Sequence, residues 1–335
     1  MCRAAPQVIP SETAGSSSSL KASNLGRTGG PVSGRDAVLG HGILLGAWIF
    51  ATSSLTLAII VALWRGAYVT LSILILAATC HLVSPSKPWP AFVRVIQSLN
   101  LRAYYGRAGL YLPKTLPRKR TMFCYAPHGV VSLGYNVNGV WARELEPYDV
   151  TWFVSTTFFV LPVISHIVGW RGSMSSASGQ NLEKRMRTGR NLAIIPGGFE
   201  EATICARGQE RVFLKRRKGF VKYALRHGYS LCPVYTFGES EAYWTFPYLI
   251  KPRLWLNRFK IPGVAFFGHP VAPLLPRRGG ELITVVGDPI VLPTIPNPTS
   301  ADVDKWHATY VDALRKLFEA NKSRAGYADR ELVVF

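Results

Sequence analysis

The feature that most limits what this chain can fold into is an apolar run, "GILLGAWIFATSSLTLAIIVALW" (Gly42–Trp64), with no formal charge in 23 residues. As a helix rising about 1.5 Å per residue it reaches roughly 34 Å, enough to cross a hydrocarbon core. Arg65 and Gly66 interrupt it, and "AYVTLSILILAATCHLV" (Ala67–Val83) resumes the pattern. Two apolar runs around a tight polar break predict a transmembrane helical hairpin over residues 42–83. An arginine at the bilayer centre costs about 2.5–3.5 kcal/mol on insertion scales, so Arg65 belongs near an interface. The competing reading is a helix pair buried in a soluble core; length and absence of charge favour lipid. Arg3, Lys21, Arg27 and Arg35 precede the hairpin, and Lys87, Arg94, Arg102 and Arg107 follow it. Basic flanks on both sides predict that both termini are cytosolic.

Residues 1–41 are rich in Ser, Gly and Pro, as in "SETAGSSSSL", and read as a disordered tail. The apolar run starts too late for a cleaved signal peptide. After it, "SPSKPWP" (Ser84–Pro90) stops the helix and opens a linker and membrane-proximal segment over 84–117. The whole chain of 335 residues combines 48% hydrophobic residues with a formal charge of +20. That pairing points to a membrane face with anionic headgroups or to an acidic substrate met at a membrane. Nucleic acid is excluded as partner, because no nucleic-acid module signature accompanies the charge. Five cysteines (Cys2, Cys80, Cys124, Cys205 and Cys232) are scattered, with no C-x-x-C pair. They predict buried thiols in a reducing compartment, with neither a disulfide framework nor a zinc site.

From residue 118 to 335 short apolar runs alternate with helical stretches. The expected strands are Thr121–Tyr125, Val150–Ser155, Asn191–Pro196, Ser230–Phe237, Val264–Phe267 and Leu282–Gly287. The expected helices are Val131–Leu145, Ser178–Thr188, Lys215–His227 and Ala301–Asn321. This alternation predicts an α/β domain with a mixed sheet flanked by helices. "TWFVSTTFFVLPVISHIVGW" (Thr151–Trp170) is apolar enough to resemble a third span. Its strand-like opening, Pro162 and His166 predict core burial or membrane contact instead.

"CYAPHGVVSLGYN" (Cys124–Asn136) sets one histidine, His128, in a Pro-His-Gly turn after a strand-like run. A lone histidine is more often structural than catalytic. The carboxyl end of a strand before a helix, however, is where α/β folds place ligand crevices, and a neutral imidazole there can take a proton from an alcohol. A base of this kind needs a group to orient it, and the chain has only 19 acids. "NLAIIPGGFEEA" (Asn191–Ala202) runs from a strand through a glycine pair to two glutamates, and "CPVYTFGESEAYW" (Cys232–Trp244) repeats the design with Glu239 and Glu241. Helix capping by these glutamates is an equally good account, contributing about 0.3–1 kcal/mol each. "RGQERVFLKRRKGF" (Arg207–Phe220) carries six basic residues and one acid. It suits a phosphate-rich ligand, an anionic membrane or a solvated face.

Taken in order, "APHG", "PGGFEEA", "RRKGFVKYALRHGYSLCPVYTFGE" and "VVGDPIVLP" followed by "HATYVDALRKLFEANK" resemble the type-2 diacylglycerol acyltransferase family, which includes monoacylglycerol and wax-alcohol acyltransferases. The resemblance covers about residues 85–335, and the preceding hairpin is similar to the family's membrane anchor. It implies a glycerolipid-acyltransferase-like fold and an acyl-CoA:diacylglycerol O-acyltransferase that makes triacylglycerol. Monoacylglycerol or a long-chain alcohol is the alternative acceptor. By this resemblance His128 is the general base on the acceptor hydroxyl and Glu201, rather than Glu200, orients the ring or stabilises its charge. Gly129 or Gly198 supplies N–H groups to the oxyanion. Lys215, Arg216, Arg217 and Lys218, ahead of Gly219 and Phe220, face the CoA phosphates; Phe237, Gly238 and Glu239 match the later substrate-binding signature.

The resemblance further implies acyl-CoA as co-substrate with no cofactor and no metal, membrane lipids as partners, and the endoplasmic reticulum membrane, with lipid droplets as a second location. It is compatible with a homo-oligomer. One departure stands out: members of the family commonly carry histidine where this chain has Ala126. That keeps a further alternative open, a non-catalytic lipid-droplet or tethering protein with a degenerate fold. The related His-x4-Asp acyltransferases would need Asp at Leu133. A hydrolase would need a G-x-S-x-G elbow, which the chain lacks.

Overall fold

The chain is described by a computed structural model covering residues 34–83, 86–161, 163–259 and 263–335, without the side chains of 48–55 and 77–83. In chain order the strands are β1 (Arg107–Tyr111), β2 (Thr121–Ala126), β3 (Thr151–Val154), β4 (Met174–Ser176), β5 (Leu192–Ile194), β6 (Glu210–Val212), β7 (Ser230–Phe237), β8 (Trp244–Thr245), β9 (Phe266–Phe267), β10 (Glu281–Val286) and β11 (Leu332–Val334). The helices are α1 (Gly34–Trp64), α2 (Tyr68–Val83), α3 (Pro90–Ser98), α4 (Leu133–Tyr135), α5 (Ile164–Arg171), α6 (Gly179–Met186), α7 (Gly198–Ile204), α8 (Gly219–His227), α9 (Ile250–Leu256) and α10 (Ser300–Lys322).

Seven strands form one mixed sheet in the order β1-β10-β7-β2-β5-β3-β4, parallel throughout except where β10 meets β7. β2 lies at its centre and is buried along its whole length. Because side chains alternate across a strand, Phe123 and Tyr125 enter one core while Met122, Cys124 and Ala126 enter the other. A strand covered on both faces reads as a continuous apolar run, and "TMFCYA" does. On the second face α8 and α10 cover the sheet, with Tyr310, Leu314 and Phe318 fully buried. α10 begins with a capping box: Thr299 Oγ1 accepts the Asp302 N–H at 3.2 Å, and Asp302 Oδ2 accepts the Thr299 N–H at 2.9 Å.

Several expected elements differ. Val131–Leu145 is not one helix: α4 gives way to a π-helical turn over Asn136–Val140 and a 3-10 turn over Arg143–Tyr148. Ser132 ahead of α4 has φ 55°, and Gly134 and Gly139 press against the side chains of Thr236 and Trp152, so the buried segment follows the sheet surface instead of a regular helix. α8 starts at Gly219, and Lys215–Lys218 form the turn before it. Within Val264–Phe267, only Phe266–Phe267 is a strand, and it pairs with β8 outside the main sheet. The expected linker 84–117 contributes β1 to the sheet, next to β10.

The expected tail and hairpin divide differently from residue 41. Residues 1–33 lie outside the described residues, and α1 already begins at Gly34. Its first half docks on the domain: Ala37, His41 and Leu45 are buried, and His41 Nε2 accepts the Tyr105 hydroxyl at 3.1 Å. The helical break falls where expected. Gly66, at φ 61°, ends α1, and the Ala67 N–H returns to the Ala62 carbonyl at 2.9 Å. α2 then folds back against α1. Among the described residues, no helix is long and apolar enough to cross a membrane. α2 has 16 residues, which is about 24 Å of helix against a hydrocarbon core of about 30 Å. The segment Thr151–Trp170 resolves into β3, a 3-10 turn and α5, with Trp152 in the core and Val160 and Val163 exposed; Pro162 lies outside the described residues. Cys124, Cys205 and Cys232 are free and buried. Cys2 and the side chain of Cys80 lie outside the described residues.

Candidate active site

Three adjacent parallel strands end at one edge of the sheet. β2 runs into Pro127, His128 and Gly129; β5 leads through Pro196 and a glycine pair into α7, which carries Glu201; β7 leads into Gly238 and Glu239. Residues 128, 201 and 239 are thus brought to one place by topology. The Ala126–Pro127 peptide is cis.

The His128 ring is oriented by its own turn. Its Nδ1 lies 3.0 Å from the Gly129 carbonyl. A carbonyl only accepts, so Nδ1 carries the proton and Nε2 keeps its lone pair. Ser132 Oγ is 3.3 Å from Nε2 and 3.1 Å from Nδ1. Burial lowers the pKa of His128 below its ordinary 6.5, against hydrogen bonds to main-chain carbonyls that raise it.

Glu201 does not reach the ring. Its Oε1 accepts the main-chain N–H of His128 at 2.6 Å, and its Oε2 accepts that of Phe213 at 2.7 Å. The carboxyl therefore ties the histidine turn to the loop after β6. Burial pushes its pKa up to about 7, opposed by those two N–H donors and by Arg217. A Cβ at Gly197 would stand 2.0 Å from Glu201 Oε2, so glycine there is what lets the carboxylate fold back over the turn.

Glu239 approaches the same turn from the other side. Its Oε1 accepts the Gly134 N–H, while Oε2 is buried with no partner among the described residues. A Cβ on Gly129, which has φ 61°, would meet that oxygen at 2.2 Å. Burial raises the Glu239 pKa to about 8; donors at Gly134 and Leu133 lower it, and Glu210 and Glu201 raise it. Glu210 is the third buried carboxyl, accepting the Tyr235 hydroxyl at 2.6 Å and the Ser240 hydroxyl, with its pKa also raised by burial. Among the described residues, no three His, Cys, Asp or Glu side chains converge as metal ligands would.

The other expected residues separate. Gly198 has φ 58°, but its N–H already donates to the Ile195 carbonyl at 3.2 Å. The Gly129 N–H has no partner among the described residues. Arg217 is paired with Glu200, and Lys218 with Asp304 of α10 at 2.6 Å. Lys215 and Arg216 are exposed. Their loop is pinned from below: the Leu214 and Lys215 N–H groups both donate to the Phe335 carbonyl, at 2.9 and 2.6 Å. Phe237 is not at the site. It is fully buried, packed between Tyr235 and Phe318. Ser132 and Glu210 are the participants that sequence reasoning missed. Ser132 was signalled by standing four residues after His128, and Glu210 by being the one acid in a basic run.

A mixed sheet with a histidine turn at the end of its central strand and buried carboxylates on either side is the class that fold and site define. The diacylglycerol acyltransferase family matches residues 102–335. The chain belongs to that family, and it is an acyl-CoA-dependent O-acyltransferase of lipid biosynthesis. It is similar to the acyl-CoA wax alcohol acyltransferase 2 of Mus musculus, 34% identical over 239 residues, 65% of this chain and 70% of that one. It is equally similar to the diacylglycerol O-acyltransferase 2 of Dictyostelium discoideum, 34% identical over 236 residues, 64% and 69% of the two chains. Among solved structures, the 1-acyl-sn-glycerophosphate (LPA) acyltransferase of Thermotoga maritima aligns over 85% of this chain and 95% of that one, at 10% identity and a TM-score of 0.41.

Proposed function

We propose that the chain transfers the acyl group of an acyl-CoA to the free hydroxyl of diacylglycerol, with His128 as general base. One observation carries the proposal: the Gly129 carbonyl holds the Nδ1 proton, so the unprotonated nitrogen is Nε2. Nε2 takes the acceptor's proton as its oxygen attacks the thioester carbonyl. The tetrahedral intermediate collapses, breaking the C–S bond, and the departing CoA thiolate takes the proton back from Nε2. The free Gly129 N–H supports it as an oxyanion donor, whereas the bonded Gly198 N–H is unsuited to that role. Glu201 acts as a positioning residue, through the backbone of His128. The exposed Lys215 and Arg216 add positive charge to the loop that Glu201 ties to the histidine turn.

The relative of equal identity named for wax alcohol favours a second acceptor class. Membranes containing the protein, given labelled acyl-CoA and equal amounts of diacylglycerol, monoacylglycerol and hexadecanol, decide between them. Labelled triacylglycerol is expected to dominate; a dominant wax ester moves the assignment to alcohols. We propose further that the α1–α2 hairpin enters the endoplasmic reticulum membrane with both termini cytosolic. Leu57, Leu63, Trp64, Val69 and Ile73, all exposed around its tip, support insertion.

A further inference from the structure

The turn that carries Glu239 also builds a second charged site. Gly238, at φ 102°, opens it, and the Glu241 N–H returns to the Gly238 carbonyl at 3.1 Å. Glu239 faces the His128 turn, whereas Glu241, two residues on, lines an open cleft of about 690 Å³. The Glu241 carboxylate gathers three guanidinium groups there: Arg207 at 3.1 Å, Arg330 at 3.1 Å and Arg277 at 3.8 Å. Arg278 is exposed on the cleft wall and forms no ion pair among the described residues. Glu281, the other acid lining the cleft, is already paired with Arg107 at 2.7 Å. Four arginines against two glutamates leave the lining positively charged.

These guanidinium groups are held in place. Arg207 lies 3.7 Å and Arg277 5.2 Å from the Trp244 ring centroid, and Phe267 stacks on the same indole. One carboxylate cannot satisfy three groups that each present five N–H donors, and beyond it only the Glu241 carbonyl takes one, from Arg277 Nη1 at 3.2 Å, among the described residues; the cleft lining therefore keeps donors to spare. Gly279 and Gly280 leave the wall beside Arg278 open, since a Cβ at either would meet nothing within 4 Å. Preorganised guanidinium forks in a concave site suit phosphate oxygens, which they bind in bidentate fashion. The Lys215–Lys218 turn offers less: Arg217 and Lys218 are already ion-paired and the other two stand on an open surface.

We propose that this arginine cleft is a phosphate-ester site, and that in the acyl-transfer reaction it holds the phosphate groups of the acyl-CoA. The choice of acyl-CoA rests on the acyltransferase reading above; the phosphate-ester site itself does not. An anionic phospholipid headgroup presents the same chemistry, and the test separates the two sources.

The full chain in detergent micelles is titrated with adenosine 3′,5′-bisphosphate. Wild type is expected to bind it saturably, and Arg278→Ala to weaken binding about tenfold with an unchanged melting temperature, as loss of one charge-assisted contact implies. Arg277→Lys, which keeps the charge but loses the fork, is expected to weaken it as well. Both variants should raise KM for acyl-CoA while leaving kcat in place. If they instead lose binding to phosphatidic acid vesicles and keep bisphosphate affinity, the site stands with a lipid headgroup as its ligand. Unchanged binding of both probes in the folded variants overturns the proposal. If no acceptor is acylated while bisphosphate binding still depends on Arg278, the acyltransferase reading fails and the phosphate-ester site remains.

Discussion

Glu201 accepts the main-chain N–H of His128 at 2.6 Å, while the ring of that histidine turns to the Gly129 carbonyl. The two residues are coupled through backbone position, and that separates their expected kinetics. General base catalysis contributes about 10²–10⁴-fold, so His128→Ala should lose kcat on that scale with its melting temperature kept. Glu201→Gln places an amide N–H₂ against one of two N–H donors, so it should lower stability by about 1–3 kcal/mol along with activity. Ser132→Ala should cost less than tenfold, since the Gly129 carbonyl still fixes the tautomer. A Ser132→Ala enzyme as inactive as His128→Ala would instead point to an acyl-serine intermediate.

The pH profile follows from the His128 environment. Burial lowers its pKa below 6.5, and the neutral imidazole is the active form. Activity should therefore hold as pH falls past 6.5 and be lost only as pH falls through the lower folded value. The acidic limb of kcat/KM, measured from pH 5 to 8, reports this. A midpoint above 6.5 contradicts a desolvated histidine base.

Glu239 sets an opposite trend in stability. Its pKa is raised by burial to about 8, so between its ordinary value and about 8 the folded state binds more protons than the unfolded one. Stability is then fully present below the unfolded pKa and lost as pH rises through the folded one. Glu239→Gln should flatten that fall, although Glu201, raised to about 7, keeps part of it. Melting temperatures of both proteins at pH 5.5 and 8.5 test this, and parallel shifts would falsify it.

Ala126 is 2% exposed on β2, in the core cluster that holds Phe237 and Tyr310. Members of the family commonly carry histidine at this position, so restoring it tests whether the first position of the motif matters for more than local packing. The Ala126 methyl is packed within that cluster, so an imidazole there would have to displace its neighbours. Ala126→His should overpack the core and lower stability by about 1–3 kcal/mol without raising kcat. A gain in turnover at unchanged melting temperature would show that the first position of the motif has a chemical role.

Legibility in the sequence followed the range of the interactions. β2, β5 and β7 were readable because each is a short apolar run ending in a glycine-containing turn, and those turns carry His128, Glu201 and Glu239. The 131–145 segment was misread because its apolar spacing fits a helix, while the close approach of Gly134 to Thr236 depends on a strand a hundred residues away. β1 was taken as linker, since an edge strand of five residues with an exposed arginine carries little period. The arginine cleft was invisible for the same reason: Arg207, Arg277 and Arg330 are far apart in sequence and meet around Glu241 only in the fold.

α1 serves two environments, and that decides how its role is tested. Ala37, His41 and Leu45 are buried against the domain, whereas Leu57, Leu63 and Trp64 are 62%, 58% and 83% exposed. A deletion of residues 42–83 would remove Leu45 from the core along with the apolar tip, and so confuse unfolding with release from the membrane. Point substitutions separate them. Leu45→Ala should cost about 2–5 kcal/mol of stability, as large-to-small core changes do, and leave membrane retention intact. Leu63→Lys with Ile73→Lys should do the reverse: each charge carried into the hydrocarbon core costs about 2.5–3.5 kcal/mol, while neither side chain supports the fold. Carbonate extraction of microsomes and melting temperature, measured on the same variants, give the two readouts. Full retention of the double lysine variant would show that the tip stays out of the bilayer, and that the chain is held there by another surface.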